Sequence, residues 1–107
     1  MNDDQAERFH HAMLEIYDAA AKLKPPYRAS RFKLMVEERG GKAAADALLA
    51  NGKVSDGFTE LFLRGPANLK LSVEYLVMKP EWRGLFTDAQ LEVARKRLID
   101  VRCPLPE

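Results

Sequence analysis

Helix punctuation constrains this chain more than any other feature. Apolar residues recur three and four apart, and start and stop signals cut them into short blocks. The clearest block opens at Phe86-Thr87-Asp88-Ala89-Gln90-Leu91. Thr87 is placed to cap a helix, and Gln90, three residues on, to reach back to the Thr87 backbone N–H. Phe86 and Leu91 occupy the two positions of a hydrophobic staple across that cap. Leu91, Ala94, Leu98 and Val101 then form one apolar face, with Glu92, Arg95, Lys96, Arg97 and Asp100 largely off it.

The same reading applies upstream. Phe9, Met13, Ile16, Tyr17, Ala20 and Leu23 predict a long amphipathic helix over about 3–23, with Asp3, Asp4 and Glu7 at its start and Lys22 and Lys24 at its end. Pro25-Pro26 stops it. A second helix is expected from Arg28 or Ser30 to Arg39, burying Phe32, Met35 and Val36, with Gly40-Gly41 as its break. Lys42 to Ala50 reads as a third, with Ala44, Leu48 and one of Ala45 or Ala47 inward and Asn51-Gly52 as its stop. Ser55 caps a short fourth helix carrying Phe58, Leu61 and Phe62, ended by Gly65-Pro66. Ser72 caps a fifth, with Val73, Leu76 and Val77 inward and Lys79-Pro80 closing it. Pro80 to Gly84 reads as one helical turn, and Pro104 and Pro106 mark a frayed tail over 102–107. The nearest approach to strand alternation, Lys70 to Tyr75, continues at helical spacing and reads as a helix entry.

The expected fold is therefore all-α: a compact single-domain bundle of about five to seven helices with short connections. A long N-terminal helix over 1–24 would precede a helical core over 27–101. At 107 residues the chain suits one domain with one core. Its 17 bases against 16 acids favour no class of partner. Cys103 is the only cysteine, so neither an intrachain disulfide nor a multi-thiolate zinc site is available. The acidic start lacks a signal-peptide pattern and no apolar run approaches bilayer length, so a cytoplasmic location is expected.

Several segments taken in order resemble a family of small bacterial domains of unknown function. They are Tyr27-Arg28-Ala29, Phe32 to Val36, Gly40-Gly41, Ala43-Ala44-Ala45, Leu48-Leu49, Ser55-Asp56-Gly57-Phe58, Leu71-Ser72-Val73-Glu74, Leu85-Phe86-Thr87 and Ala94 to Leu98. The resemblance spans roughly Tyr27 to Leu98. It departs at Leu61-Phe62-Leu63-Arg64, where the family pattern carries Leu-Trp-Glu, and in a longer connection from Gly65 to Leu71. It implies a helical domain in a bacterial cytoplasm and transfers no catalytic residue.

Catalytic chemistry is sparsely written. His10 and His11 are adjacent, so on a helix they point about 100° apart and make no shared metal site; a surface pair is the plainer reading. Cys103 lacks an identified activating base. Ser55-Asp56-Gly57 lacks the nucleophile-elbow pattern, and capping explains the serine. Glu60, Glu74 and Tyr75 would matter only if the fold gathered them in a pocket. Gly40-Gly41 and Gly57 do not form a phosphate loop. Phe58, Phe62, Trp82 and Phe86 suit core packing better than base stacking.

One asymmetry stands out. Residues 1–20 hold five acids and one base, Arg8, whereas 21–36 hold five bases (Lys22, Lys24, Arg28, Arg31 and Lys33) and no acid. If these bases converge with Arg95, Lys96 and Arg97, the domain has a positive face suited to phosphate or another anion. The leading expectation is nevertheless a non-catalytic helical binding module, acting through a protein partner or self-association, with no cofactor, no metal and no membrane contact. Nucleic-acid binding through Lys22 to Lys33, with Arg95 and Arg97 in support, is the alternative. An enzyme whose site is invisible in sequence is the third reading.

Overall fold

The computed structural model describes residues 3–106. The expectations for Met1 and Asn2 in the first helix, and for Glu107 at the end of the tail, fall outside the described residues. Six α-helices follow in order: α1 (Asp3–Ala20), α2 (Ser30–Arg39), α3 (Gly41–Ala50), α4 (Asp56–Leu63), α5 (Val73–Val77) and α6 (Asp88–Asp100). Two 3₁₀ segments, Pro66–Leu71 and Arg83–Leu85, link α4 to α5 and α5 to α6. No strand occurs among the described residues. The chain is all-α, with a radius of gyration of 12.7 Å, close to the ~13 Å of a compact domain near 100 residues. None of the described helices is long and apolar enough to cross a membrane.

Side chains written into the sequence as caps act as caps. Ser55 Oγ accepts from the Phe58 N–H at 3.1 Å, and Ser72 Oγ accepts from the Tyr75 N–H at 3.2 Å. Ser72 Oγ also donates to the Leu69 carbonyl at 2.7 Å, so one buried hydroxyl closes the 3₁₀ segment and opens α5. At α6 the reciprocal box is complete: the Gln90 N–H donates to Thr87 Oγ1 at 3.1 Å and the Thr87 N–H to Gln90 Oε1 at 2.9 Å. Phe86 is buried, and Leu91 packs partly buried against the same cluster.

Other expectations need correction. α1 stops at Ala20, not Leu23, because the Tyr27 N–H, returning past the proline pair, donates to the Ala20 carbonyl at 2.9 Å. Lys22 and Lys24 therefore lie in the turn, outside the helix. α3 starts one residue early, at Gly41, whose N–H donates to His10 Nδ1 at 2.9 Å. His10 is thus a cap supplied from 31 positions away, and only His11 is a plain surface histidine. A Cβ on Gly41 would sit 2.6 Å from His10 Cα, so glycine sets how closely α1 and α3 approach. In α3, Leu49 is buried with Ala44 and Ala45, while Leu48 is only partly covered. Phe62 is exposed, because α4 packs chiefly against the 3₁₀ segment Pro66–Leu71 and has only one face to bury. The turn expected at Pro80 to Gly84 closes as 3₁₀ backbone at Arg83–Leu85.

Arg102 and Cys103, at the start of the expected tail, are fastened to α6. The Cys103 N–H donates to the Leu98 carbonyl and the Arg102 N–H to the Ile99 carbonyl, both at 2.9 Å. This is a Schellman closure of α6, with Arg102 at φ 58° in the position glycine usually takes. Cys103 and Leu98 are buried together, supplying the apolar contact that accompanies such a closure.

The interior divides into two clusters. One gathers Phe9, Met13, Val36, Ala44, Ala45, Leu49, Val73, Leu76, Val77, Phe86 and Ala94 from every helix but α4. Phe9 lies at its aromatic centre, edge-on to Trp82 at 5.6 Å and to Phe86 at 5.3 Å. The smaller one gathers Ala20, Phe58, Leu61, Leu69, Leu98 and Cys103.

Candidate functional site

A groove opens along the seam between the two clusters. α2 packs on α1 and α3, and α4 packs on the 3₁₀ segment that follows it, so α2 and α4 face one another without closing the gap. The resulting cavity holds about 440 Å³, within the range of ligand-accepting pockets. Its walls are mainly apolar: Ile16 and Ala20 from α1, Phe32 and Met35 from α2, Leu48 from α3, and Phe58 and Leu61 from α4. Ser72, Val73 and Glu74 also line it, as do Tyr27, Arg28 and Arg31.

The loop from Pro25 to Ala29 is held in place by Arg64. Its Nε donates to the Pro25 carbonyl at 2.7 Å and its guanidinium to the Pro26 carbonyl at 3.2 Å. The same group pairs with Glu60 at 2.6 Å and lies 5.1 Å from the Tyr27 ring centre. The Tyr27 hydroxyl is pushed above its ordinary pKa by burial and then by the Glu60 and Asp56 carboxylates. It stays protonated at neutral pH and presents a neutral donor near α4's first turn.

Glu74 and Arg97 are the charged pair of the interior, with side chains 3% and 11% exposed and 2.9 Å between Oε2 and the guanidinium. Arg97 also donates to the Leu48 carbonyl at 3.1 Å and to the Asn51 carbonyl. It thereby ties α6 to the end of α3 as well as to α5. The placement of Arg97 on an anion-binding face is corrected: it is turned inward because, among the described residues, it is the base that neutralises the buried Glu74, and it caps carbonyls left open at the end of α3.

The remaining basic candidates divide. Lys33 is half-buried, with its ammonium 5.1 Å from the Tyr17 ring centre. Arg95 is exposed and pairs with Glu92 at 3.0 Å. Lys22, Lys24, Arg28 and Arg31 are exposed and make no ion pair among the described residues. α2, which Arg28 precedes and Arg31 enters, has no side-chain cap and no acid in its first turn. The basic stretch and the groove therefore meet at Arg28 and Arg31, a convergence that sequence spacing alone does not reveal.

Side chains suited to catalysis are mostly engaged elsewhere. Ser55 caps α4, Glu60 pairs with Arg64, Glu74 with Arg97, and His10 caps α3. Tyr75 packs partly buried against the smaller cluster, with the Lys79 ammonium 5.9 Å from its ring centre. Burial pushes the Cys103 thiol up, away from the nucleophilic thiolate. No group of three or more His, Cys, Asp or Glu side chains stands ready for a metal ion among the described residues. Comparison with known protein families, curated proteins and solved structures finds no match for this chain.

Proposed function

We propose that this chain is a non-catalytic binding module that takes an apolar segment of a protein partner into the groove between α2 and α4. The observation that carries this reading is the 440 Å³ apolar cavity at the seam of the two clusters, walled by Phe32, Met35, Leu48, Phe58 and Leu61. Leu34 on α2 and Leu63 on α4, 55% and 70% exposed, add apolar area on the two helices that flank it. Structural engagement of the serine, histidine, glutamate and cysteine candidates argues for binding over chemistry. The resemblance to small bacterial helical domains fits a module of this kind.

The test compares wild type with Met35→Gln, which places an amide in the groove wall. Both proteins are passed over lysate after nuclease treatment, and both are sedimented to read self-association. A partner, or a second copy, held by wild type and lost by Met35→Gln supports the reading. Equal capture by both proteins overturns it, as does a wild-type monomer that retains nothing. The second reading, nucleic-acid binding, rests on the unpaired exposure of Lys22, Lys24, Arg28 and Arg31. It requires binding that falls steeply with salt, by a log–log slope of about 0.9 per phosphate contacted.

A further inference from the structure

We infer that the partner segment is acidic as well as apolar, with an Asp or Glu beside its hydrophobic anchor that meets Arg28 and Arg31. The inference rests on the groove reading above and adds the charge of the occupant. Four charged residues line the cavity: Arg28, Arg31, Asp56 and Glu74. Glu74 is neutralised by Arg97 at 2.9 Å. Asp56 lies in the first turn of α4, where the helix dipole offsets a carboxylate. Arg28 and Arg31 have no such compensation, since neither guanidinium makes an ion pair or hydrogen bond among the described residues. The groove thus offers an apolar interior and two uncommitted guanidinium groups, a combination that favours a carboxylate over a cation. Both arginines are exposed, so the acid they meet stands outside the cavity. The occupant must therefore run from a buried anchor to the rim, as a polypeptide does.

The experiment selects a phage-displayed library of random peptides on the full chain, then measures enriched peptides against wild type, Arg28→Glu/Arg31→Glu and Leu48→Trp. The first variant alters only exposed side chains; the second fills the groove, and circular dichroism checks that both fold. The expected result is enrichment of peptides with Asp or Glu next to an aromatic or aliphatic residue. Binding should weaken about tenfold or more on charge reversal, since like charges then face each other, and should be lost when the groove is filled. Enriched peptides that need the groove but carry no acid, and ignore the charge reversal, overturn this inference and leave the groove reading standing. No peptide sensitive to Leu48→Trp or to Met35→Gln overturns both. Displacement of bound peptide by a single-stranded oligonucleotide that itself fails on the charge-reversed variant overturns the inference in favour of nucleic acid.

Discussion

Removing Arg97 should cost far more than removing any other surface-length side chain of this chain, and removing Glu74 with it should cost less than the two losses summed. Glu74 and Arg97 are 3% and 11% exposed and 2.9 Å apart, so each is the other's substitute for water. Breaking such a pair from one side strands a buried charge, at about 3–5 kcal/mol. Arg97→Met also frees the Leu48 and Asn51 carbonyls. Asn51 is exposed and rebinds water readily, so the expected total is about 4 kcal/mol. Glu74→Leu leaves Arg97 its two carbonyl acceptors, and about 3 kcal/mol is expected. In the double variant no charge is stranded, and its loss should fall to roughly 2 kcal/mol, the residue being the α3 carbonyls and imperfect packing. The coupling is then about 5 kcal/mol, above the usual range for contacting residues because both members are so fully enclosed. Urea unfolding read by far-ultraviolet dichroism, with Trp82 fluorescence as a second probe, gives all four free energies if the two transitions coincide. Since small domains hold only about 5–15 kcal/mol in total, each single variant remains measurable at low temperature. Additivity within about 0.5 kcal/mol would refute the reasoning, because it would mean that the two charges do not depend on each other in the folded chain.

Four further outcomes follow from particular contacts. Gly41→Ala places a Cβ 2.6 Å from His10 Cα, where backbone cannot yield cheaply. A loss of about 1–3 kcal/mol in urea unfolding is expected despite alanine's helix propensity, and a stabilised variant would show that α1 and α3 are not held that close. Arg102→Gly relieves a side chain held at φ 58° in the Schellman closure, at a strain of about 1–2 kcal/mol offset by glycine's greater freedom in the unfolded chain. A net gain of about 0.5–1 kcal/mol in the same assay is expected, and a loss would mean that the Arg102 side chain makes a contribution of its own. Cys103, with its thiol pushed up by burial, should react slowly with a disulfide reagent at neutral pH and fast once unfolded; equal rates would place it in solvent. Cys103 and Tyr27 are both held protonated in the fold above their ordinary values of 9.0 and 10.0, so the unfolded chain releases those protons first. Stability should accordingly decline as pH climbs through about 9 and then 10, and a flat profile there would contradict the raised values.

What was readable beforehand was whatever a side chain does to backbone a few residues away. Ser55, Ser72 and the Thr87–Gln90 box each act across three residues, so spacing carries the whole interaction and needs no tertiary fold. The apolar stripes were readable for the same reason. What escaped was set by partners distant in sequence. Glu74 finds Arg97 across 23 positions, and His10 finds the Gly41 N–H across 31. Helix-face reasoning put Arg97 outside, because an arginine off the apolar stripe carries no sign that a buried carboxylate lies opposite. The fastening of Arg102 and Cys103 escaped for another reason: the closure uses arginine in a left-handed conformation, where no glycine announces it.

The groove could not be read at all, and the cause is general. Periodicity identifies which residues seek cover, and Phe32, Met35, Leu48, Phe58 and Leu61 all satisfy it. It does not say whether the cover is complete. Leu48 and Phe62 are expected inward and remain only partly covered, both on elements near the seam where α4 turns to its own 3₁₀ segment instead of closing on α2. A void is the difference between two packings, and neither packing is a local property of the chain. Once the gap exists, the meaning of the basic stretch changes. Lys33 and Arg97 are drawn into aromatic and carboxylate contacts, whereas Arg28 and Arg31 remain exposed beside an apolar cavity. Charge that looked diffuse in sequence is sorted by the fold into groups that hold the structure and groups left exposed beside the groove. That sorting directs the search for a ligand to the seam between α2 and α4.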